Sequence, residues 1–223
     1  MNIKGAIFDL DGTLFDSMKM WRTLASRYIE SLGKTPAPDV DKYVFGMSIE
    51  EGVRHLKEEY DIDGSVETLQ RNLLQVAHDF YMSSIEYKPG AEEILRELKA
   101  NDIPMCIATA TDRDIVEPAL KKIGCLDYFD GMFTCSEVNA GKRESVIYDK
   151  ALEFLGTQKS ETLVFEDHFY AAKTAHSAGF PVIGIYDKYS VQTDEDLHTV
   201  CDFYLDSYAS WPGLAELAKI LKI

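Results

Sequence analysis

Two acidic pairs stand far apart in the chain, each at the end of a short apolar run. Asp9 and Asp11 follow Ile3 to Phe8, and Glu166-Asp167 follow Thr162 to Phe165. Side chains at i and i+2 of an extended chain point the same way, so Asp9 and Asp11 can converge just beyond the first run. Gly12 then supplies a residue free of the usual backbone limits. Two carboxylates with no basic neighbour repel each other and are costly to desolvate together. An Asx-turn or a helix N-cap produces such a string, and so does a site for a hard divalent cation, which prefers oxygen ligands. Two further groups complete the set. The apolar run 103–108 delivers the hydroxyls of Thr109 and Thr111, and Lys142 follows Cys135 after a short interval. A hydroxyl and an ammonium suit phosphoryl oxygens, on which charge is spread during transfer.

These residues need a scaffold that gathers strand ends. Short apolar strands are expected at 3–8, 103–108, 131–135, 162–165, 181–186 and 203–205. Helices are expected at 91–100, 112–123, 142–155, 169–178, 194–200 and 213–221. Strand–helix alternation implies a doubly wound α/β fold with a parallel sheet and right-handed crossovers, whose ligands lie at the carboxyl edge of the strands. Between the first strand and the rest, residues 17–86 read as all helical. One helix runs over 18–32 behind a Ser17 cap, with Met20, Leu24, Tyr28 and Leu32 at intervals of four. A second starts at a Ser48–Glu51 capping box. A third spans 65–85. The expected organisation is a core of 1–16 and 87–223 with a helical insert over 17–86. Phe15-Asp16-Ser17 and Tyr87-Lys88-Pro89 are the expected hinges of a closing lid.

The string Asp9-Leu10-Asp11-Gly12-Thr13-Leu14-Phe15-Asp16-Ser17 closely resembles the first motif of the haloacid dehalogenase-like (HAD) phosphohydrolases. The resemblance extends over essentially the whole chain. It implies a Rossmannoid core with a helical C1-type cap, as in the β-phosphoglucomutase-like and phosphoglycolate phosphatase-like branch. It places Asp9 on the nucleophile and Asp11 on the general acid/base. Thr109 falls on the second motif, Lys142 on the third and Glu166-Asp167 on the acidic fourth. Magnesium is the implied cofactor, with Asp9, Asp167 and the Asp11 carbonyl as ligands and Glu166 in support. Two positions depart from the pattern. Arg143 stands where the family usually has Pro, and His168 with Tyr170-Ala171 stands where Ser and a later Gly are common.

Within that resemblance, Asp11 favours phosphoryl chemistry over dehalogenation, since only an alkoxide leaving group needs a proton. A sugar-phosphate mutase is demoted because the stretch Val44-Phe45-Gly46-Met47-Ser48-Ile49 carries no charge and the first insert helix offers Trp21 instead of His. The expected activity is hydrolysis of a small phosphorylated metabolite. A non-catalytic metal-binding regulator is the alternative from another class. Trp21, with Met18, Met20, Phe45 and Met47, is a candidate substrate surface or the core of a small bundle. Arg22 and Arg54 are candidate contacts for a distal group or solvated surface.

Composition bounds the rest. The 223 residues carry a formal charge of −15, which repels nucleic acid and anionic membranes. A hydrophobic share of 46% suffices for a sizeable core. Cys106, Cys125, Cys135 and Cys201 are widely spaced, without a C-x-x-C pair, and read as free thiols. No signal peptide and no apolar run of about 18 residues is seen, so a cytoplasmic protein is expected.

Overall fold

The computed structural model describes residues 2–45, 47–190 and 197–223. The chain divides into two compact units. One comprises Met1–Asp16 and Glu86–Ile223, the other Ser17–Ile85.

The first unit is built on a six-stranded sheet. Its strands are β1 (Gly5–Phe8), β2 (Met105–Thr109), β3 (Gly131–Thr134), β4 (Thr162–Glu166), β5 (Val182–Ile185) and β6 (Phe203–Leu205). Their spatial order is β3-β2-β1-β4-β5-β6, and each pair is parallel. This is the doubly wound architecture expected from the alternation of elements. All four residues of β1 and all five of β2 and of β4 are buried, as strands covered on both faces must be. The chain order reverses between β1 and β4, so the switch point lies where the first two carboxylate-bearing strands meet.

Register then does the positioning. Phe8 pairs with Phe165 across β1 and β4. Their rings stack with centroids 4.1 Å apart at 9°. The Asp9 amide donates to the Phe165 carbonyl at 3.0 Å, so Asp9 and Glu166 emerge at one level. On one side of the sheet, Ile7, Cys106, Val164 and Val182 pack with Tyr148 and Ala172 of the covering helices.

Several helices differ from expectation, each for a local reason. The helix over 18–32 is two, Met18–Arg22 and Leu24–Ser31. The break is at Thr23, whose hydroxyl bonds back to the Lys19 and Met20 carbonyls. The Ser17 side chain does not cap this helix. A short helix at Val40–Val44 follows the Pro36 and Pro38 segment, where none was expected. The Ser48–Glu51 capping box forms as read. The helix expected at 142–155 begins only at Val146, and a short helix at Cys135–Val138 precedes it. Asp112 sits at the N-cap of Arg113–Lys122, yet its carboxylate accepts from Ser136. Residues 194–196 of the helix expected at 194–200, and Gly46, lie outside the described residues.

Where the chain leaves the first unit and returns, its two segments pair. Phe15 bridges Tyr87 in antiparallel fashion. The Asp16 amide donates to Glu86 O at 3.2 Å and the Lys88 amide to Leu14 O at 2.8 Å.

The Phe8–Phe165 stack should anchor the register. Phe165→Ala should cost about 3–5 kcal/mol in denaturant unfolding. A loss below about 1 kcal/mol would show that the two strands are aligned by something else.

Candidate active site

The loop after β1 is shaped by Gly12, whose φ of 84° is a left-handed conformation that a side chain would strain. The Leu14 and Phe15 amides both donate to the Leu10 carbonyl, closing a tight turn behind Asp9. Asp9 comes from this strand end, and Glu166 and Asp167 from the end of β4. Ligand oxygens of these three buried carboxylates all lie within 4.8 Å of one another. Lys142 Nζ is 2.5 Å from Asp9 Oδ1 and 2.5 Å from Glu166 Oε1. One ammonium therefore bridges two of the three carboxylates, Asp9 and Glu166.

Lys142 is not on a helix. It lies in the turn before Val146, although its neighbours Arg143 and Glu144 are good helix formers. The Arg143 guanidinium stacks 3.9 Å over the Tyr170 ring, which joins the Lys142 turn to the helix that follows Asp167. His168 lies against the same Tyr170, with ring centroids 5.7 Å apart.

The Asp11 carboxylate is outside the three-carboxylate group. It accepts from Thr111 Oγ1 at 2.7 Å. The Thr111 amide in turn donates to Thr109 Oγ1 at 3.1 Å. Thr109 and Thr111 are both buried at the end of β2. Asp9, Asp11, Thr109, Thr111, Glu166 and Asp167 therefore all stand at the carboxyl edge of β1, β2 and β4 or in the loops beyond it, and Lys142 joins them from the segment that follows β3. Trp21 belongs to the second unit, where its Nε1 donates to Tyr81 Oη at 3.4 Å. There it lines a cavity of about 130 Å³ with Phe45, Met47 and Leu56. Arg22 lies 4.0 Å over the Phe45 ring, and Arg54 pairs with Glu50 at 2.7 Å on the surface.

Sequence reasoning missed the groups that support the carboxylates. Tyr148 Oη donates to Glu166 Oε1 at 2.7 Å. Thr13 Oγ1 donates to Asp167 Oδ1 at 3.2 Å, and Ser190 Oγ to Asp167 Oδ2 at 2.5 Å. Thr13 was inside the quoted motif and could have been singled out. The other two come from distant segments and leave no local signal.

Burial dominates the electrostatics. It pushes the Asp9 carboxyl well above its usual range; Lys142 opposes this, and Glu166, Asp167 and Asp11 add to it. Burial, then Glu166, pushes Asp167 up to about 7 against the Ser190 hydrogen bond and Lys88. For Lys142, burial works against the ammonium, but Asp9 and Glu166 outweigh it and hold the amine above its ordinary value. Burial and Glu166 also raise the Tyr148 phenol, which stays a neutral donor. The donor set is hard, all oxygen and incompletely balanced, which is what a divalent cation would complete.

A model of haloacid dehalogenase-like hydrolases matches residues 6–185. The chain belongs to this family. A phosphorylated carbohydrates phosphatase of Thermotoga maritima is 29% identical over 177 residues, 79% of this chain and 82% of the relative. A phosphoglycolate phosphatase of Nitrosospira multiformis is 27% identical over 230 residues, 99% of this chain and 96% of the relative. Among solved structures, a Thermotoga maritima protein provisionally named a β-phosphoglucomutase is 26% identical. It covers 91% of this chain and 94% of its own, with a TM-score of 0.79. As a member of the family with phosphatase relatives, the protein is a phosphoric monoester hydrolase. No helix among the described residues is long and apolar enough to cross a membrane.

The pH dependence of stability tests the crowding of carboxylates. The Asp167 value of about 7 lies above that of an ordinary aspartate, so between the two the folded protein holds more protons than the unfolded chain. Stability should then fall as pH rises through that window. In EDTA, Asp167→Asn should raise Tm, by more at pH 8 than at pH 5. Thermal melts showing equal or lower Tm for the variant at pH 8 would contradict this.

Proposed function

We propose that the protein is a magnesium-dependent phosphatase that hydrolyses a small phosphorylated metabolite through an aspartyl-phosphate on Asp9. The observation that carries this reading is the buried group of Asp9, Glu166 and Asp167, with the Lys142 ammonium bridging Asp9 and Glu166. The phosphatase names of the relatives support the substrate class.

Asp9 and Asp167, with the Asp11 carbonyl and Glu166 in support, would hold the cation. Magnesium, when bound, supplies positive charge that lets a carboxylate and a phosphate approach each other. The Asp9 carboxylate attacks phosphorus, and the bond to the leaving oxygen breaks. Asp11 gives that oxygen a proton, then takes one from the water that hydrolyses the intermediate. The Thr111 hydroxyl, expected to contact substrate, is assigned instead to orienting Asp11, because its hydrogen is committed there. Thr109 and Lys142 bind phosphoryl oxygens. Tyr148 fixes Glu166, leaving Lys142 free to exchange a carboxylate contact for a phosphate contact.

The second unit is assigned as the substrate-selecting cap, with Trp21 in its selecting surface. The lining of its cavity is mainly apolar, with Arg22 and Asp41 as its charged members, and supports selection chiefly by shape. The free cysteines support a reducing, cytoplasmic setting. The net charge of −15 supports a small-molecule substrate over nucleic acid or membrane.

With p-nitrophenyl phosphate, turnover should require Mg²⁺ and vanish in EDTA. Asp9→Asn should fall to background, and Thr109→Val should lose about 10²–10³ in kcat. No turnover by the wild type with any divalent metal would favour the regulator. The name carried by the Thermotoga maritima structure makes a mutase the second reading. On a sugar monophosphate it predicts an isomer in place of released inorganic phosphate.

A further inference from the structure

The supports of Asp167 reach well beyond the site. Ser190, which donates to Asp167 Oδ2, sits in a turn ordered by Asp187. Asp187 Oδ1 accepts from the Tyr189 amide at 2.8 Å, and its carbonyl accepts from the Ser190 amide at 3.2 Å. The Asp187 side chain is only 3% exposed, and its Oδ2 is 2.9 Å from Lys88 Nζ. Lys88 Nζ also donates to the Tyr186 carbonyl at 2.6 Å, so it grips the turn at two points. The Lys88 amide donates to Leu14 O, directly after Thr13, which is the other hydroxyl donor to Asp167. One lysine thus braces both segments that hold the carboxylate.

A buried ion pair is a poor source of net stability, because desolvation offsets most of the attraction. Its stronger justification is geometric. Partners that orient a metal ligand typically change metal affinity 10–100-fold when removed.

We propose that Lys88, Asp187 and Ser190 form a positioning network that holds the Asp167 carboxylate in the orientation its cation requires. The proposal rests on the reading of Asp9, Glu166 and Asp167 as a magnesium site. It gives a function to three residues that the catalytic scheme does not use.

Titration calorimetry of Mg²⁺ into the full chain, paired with thermal melts in EDTA, tests it. Ser190→Ala should weaken Mg²⁺ binding about 10-fold and leave the EDTA melt within a degree or two of wild type. Ser190→Thr, which keeps the hydroxyl, should restore affinity. Lys88→Met should weaken binding and lower Tm, because it strands Asp187. Lys88→Met/Asp187→Asn should recover Tm but not affinity, separating positioning from stability. Wild-type affinity in Ser190→Ala, or affinity recovered along with Tm in the double variant, overturns the network. Absence of Mg²⁺ binding by the wild type overturns it together with the magnesium reading, a result distinct from the other two.

Discussion

Three buried carboxylates with oxygens within 4.8 Å of one another, two of them bridged by one ammonium, set the terms for the rest of the molecule. Left to themselves, these groups would separate into water, since each charge is better solvated there than beside its like. They stay together because they are attached to strand ends whose register is fixed by buried neighbours. The all-buried β1 and β4, with stacked Phe8 and Phe165, cannot slip by one residue without turning every side chain to the other face. The core supplies the energy that the site opposes. Local strain of this kind, carried by a rigid scaffold, is a common property of functional centres.

The polar shell around the cluster shows how that opposition is contained. Glu166 receives both Lys142 and Tyr148, and Asp167 receives Thr13 and Ser190. Each added donor stabilises a carboxylate without a further ionic partner. The arrangement keeps the oxygens oriented while leaving their charge incompletely cancelled, as the proposed cation site requires.

Legibility in the sequence followed the range of the interaction. The strands were plain because each is a short apolar run with Gly, Pro or an acidic residue at one end or both, and the acidic ends stood out against them. The Ser48–Glu51 box was plain because both partners lie within one turn. Other features were set by distant groups. Residues 142–145 have helix-forming side chains, yet Lys142 is drawn to Asp9 and Glu166 and Arg143 to Tyr170, so the helix starts later. Spacing alone brought Asp9 and Asp11 together, whereas Thr111, a hundred residues on, holds Asp11 separately. Ser17 had the composition of a cap but not the backbone geometry. The links of Ser190 to Asp167 and of Lys88 to Asp187 were silent because nothing local marks a hydroxyl or an ion pair that acts across a fold.

The pairing of Phe15 with Tyr87, flanked by the bonds of Asp16 to Glu86 and of Lys88 to Leu14, brings the departure and return of the polypeptide side by side. Sixty-nine residues, Ser17–Ile85, are thereby spliced into a sheet whose own hydrogen bonding is uninterrupted. Such a junction would let a tight hairpin close the gap, or a different excursion be grafted, without re-registering any strand. Evolution of a lineage built this way can exchange what lies between the two ends while the chemistry of the sheet is inherited intact.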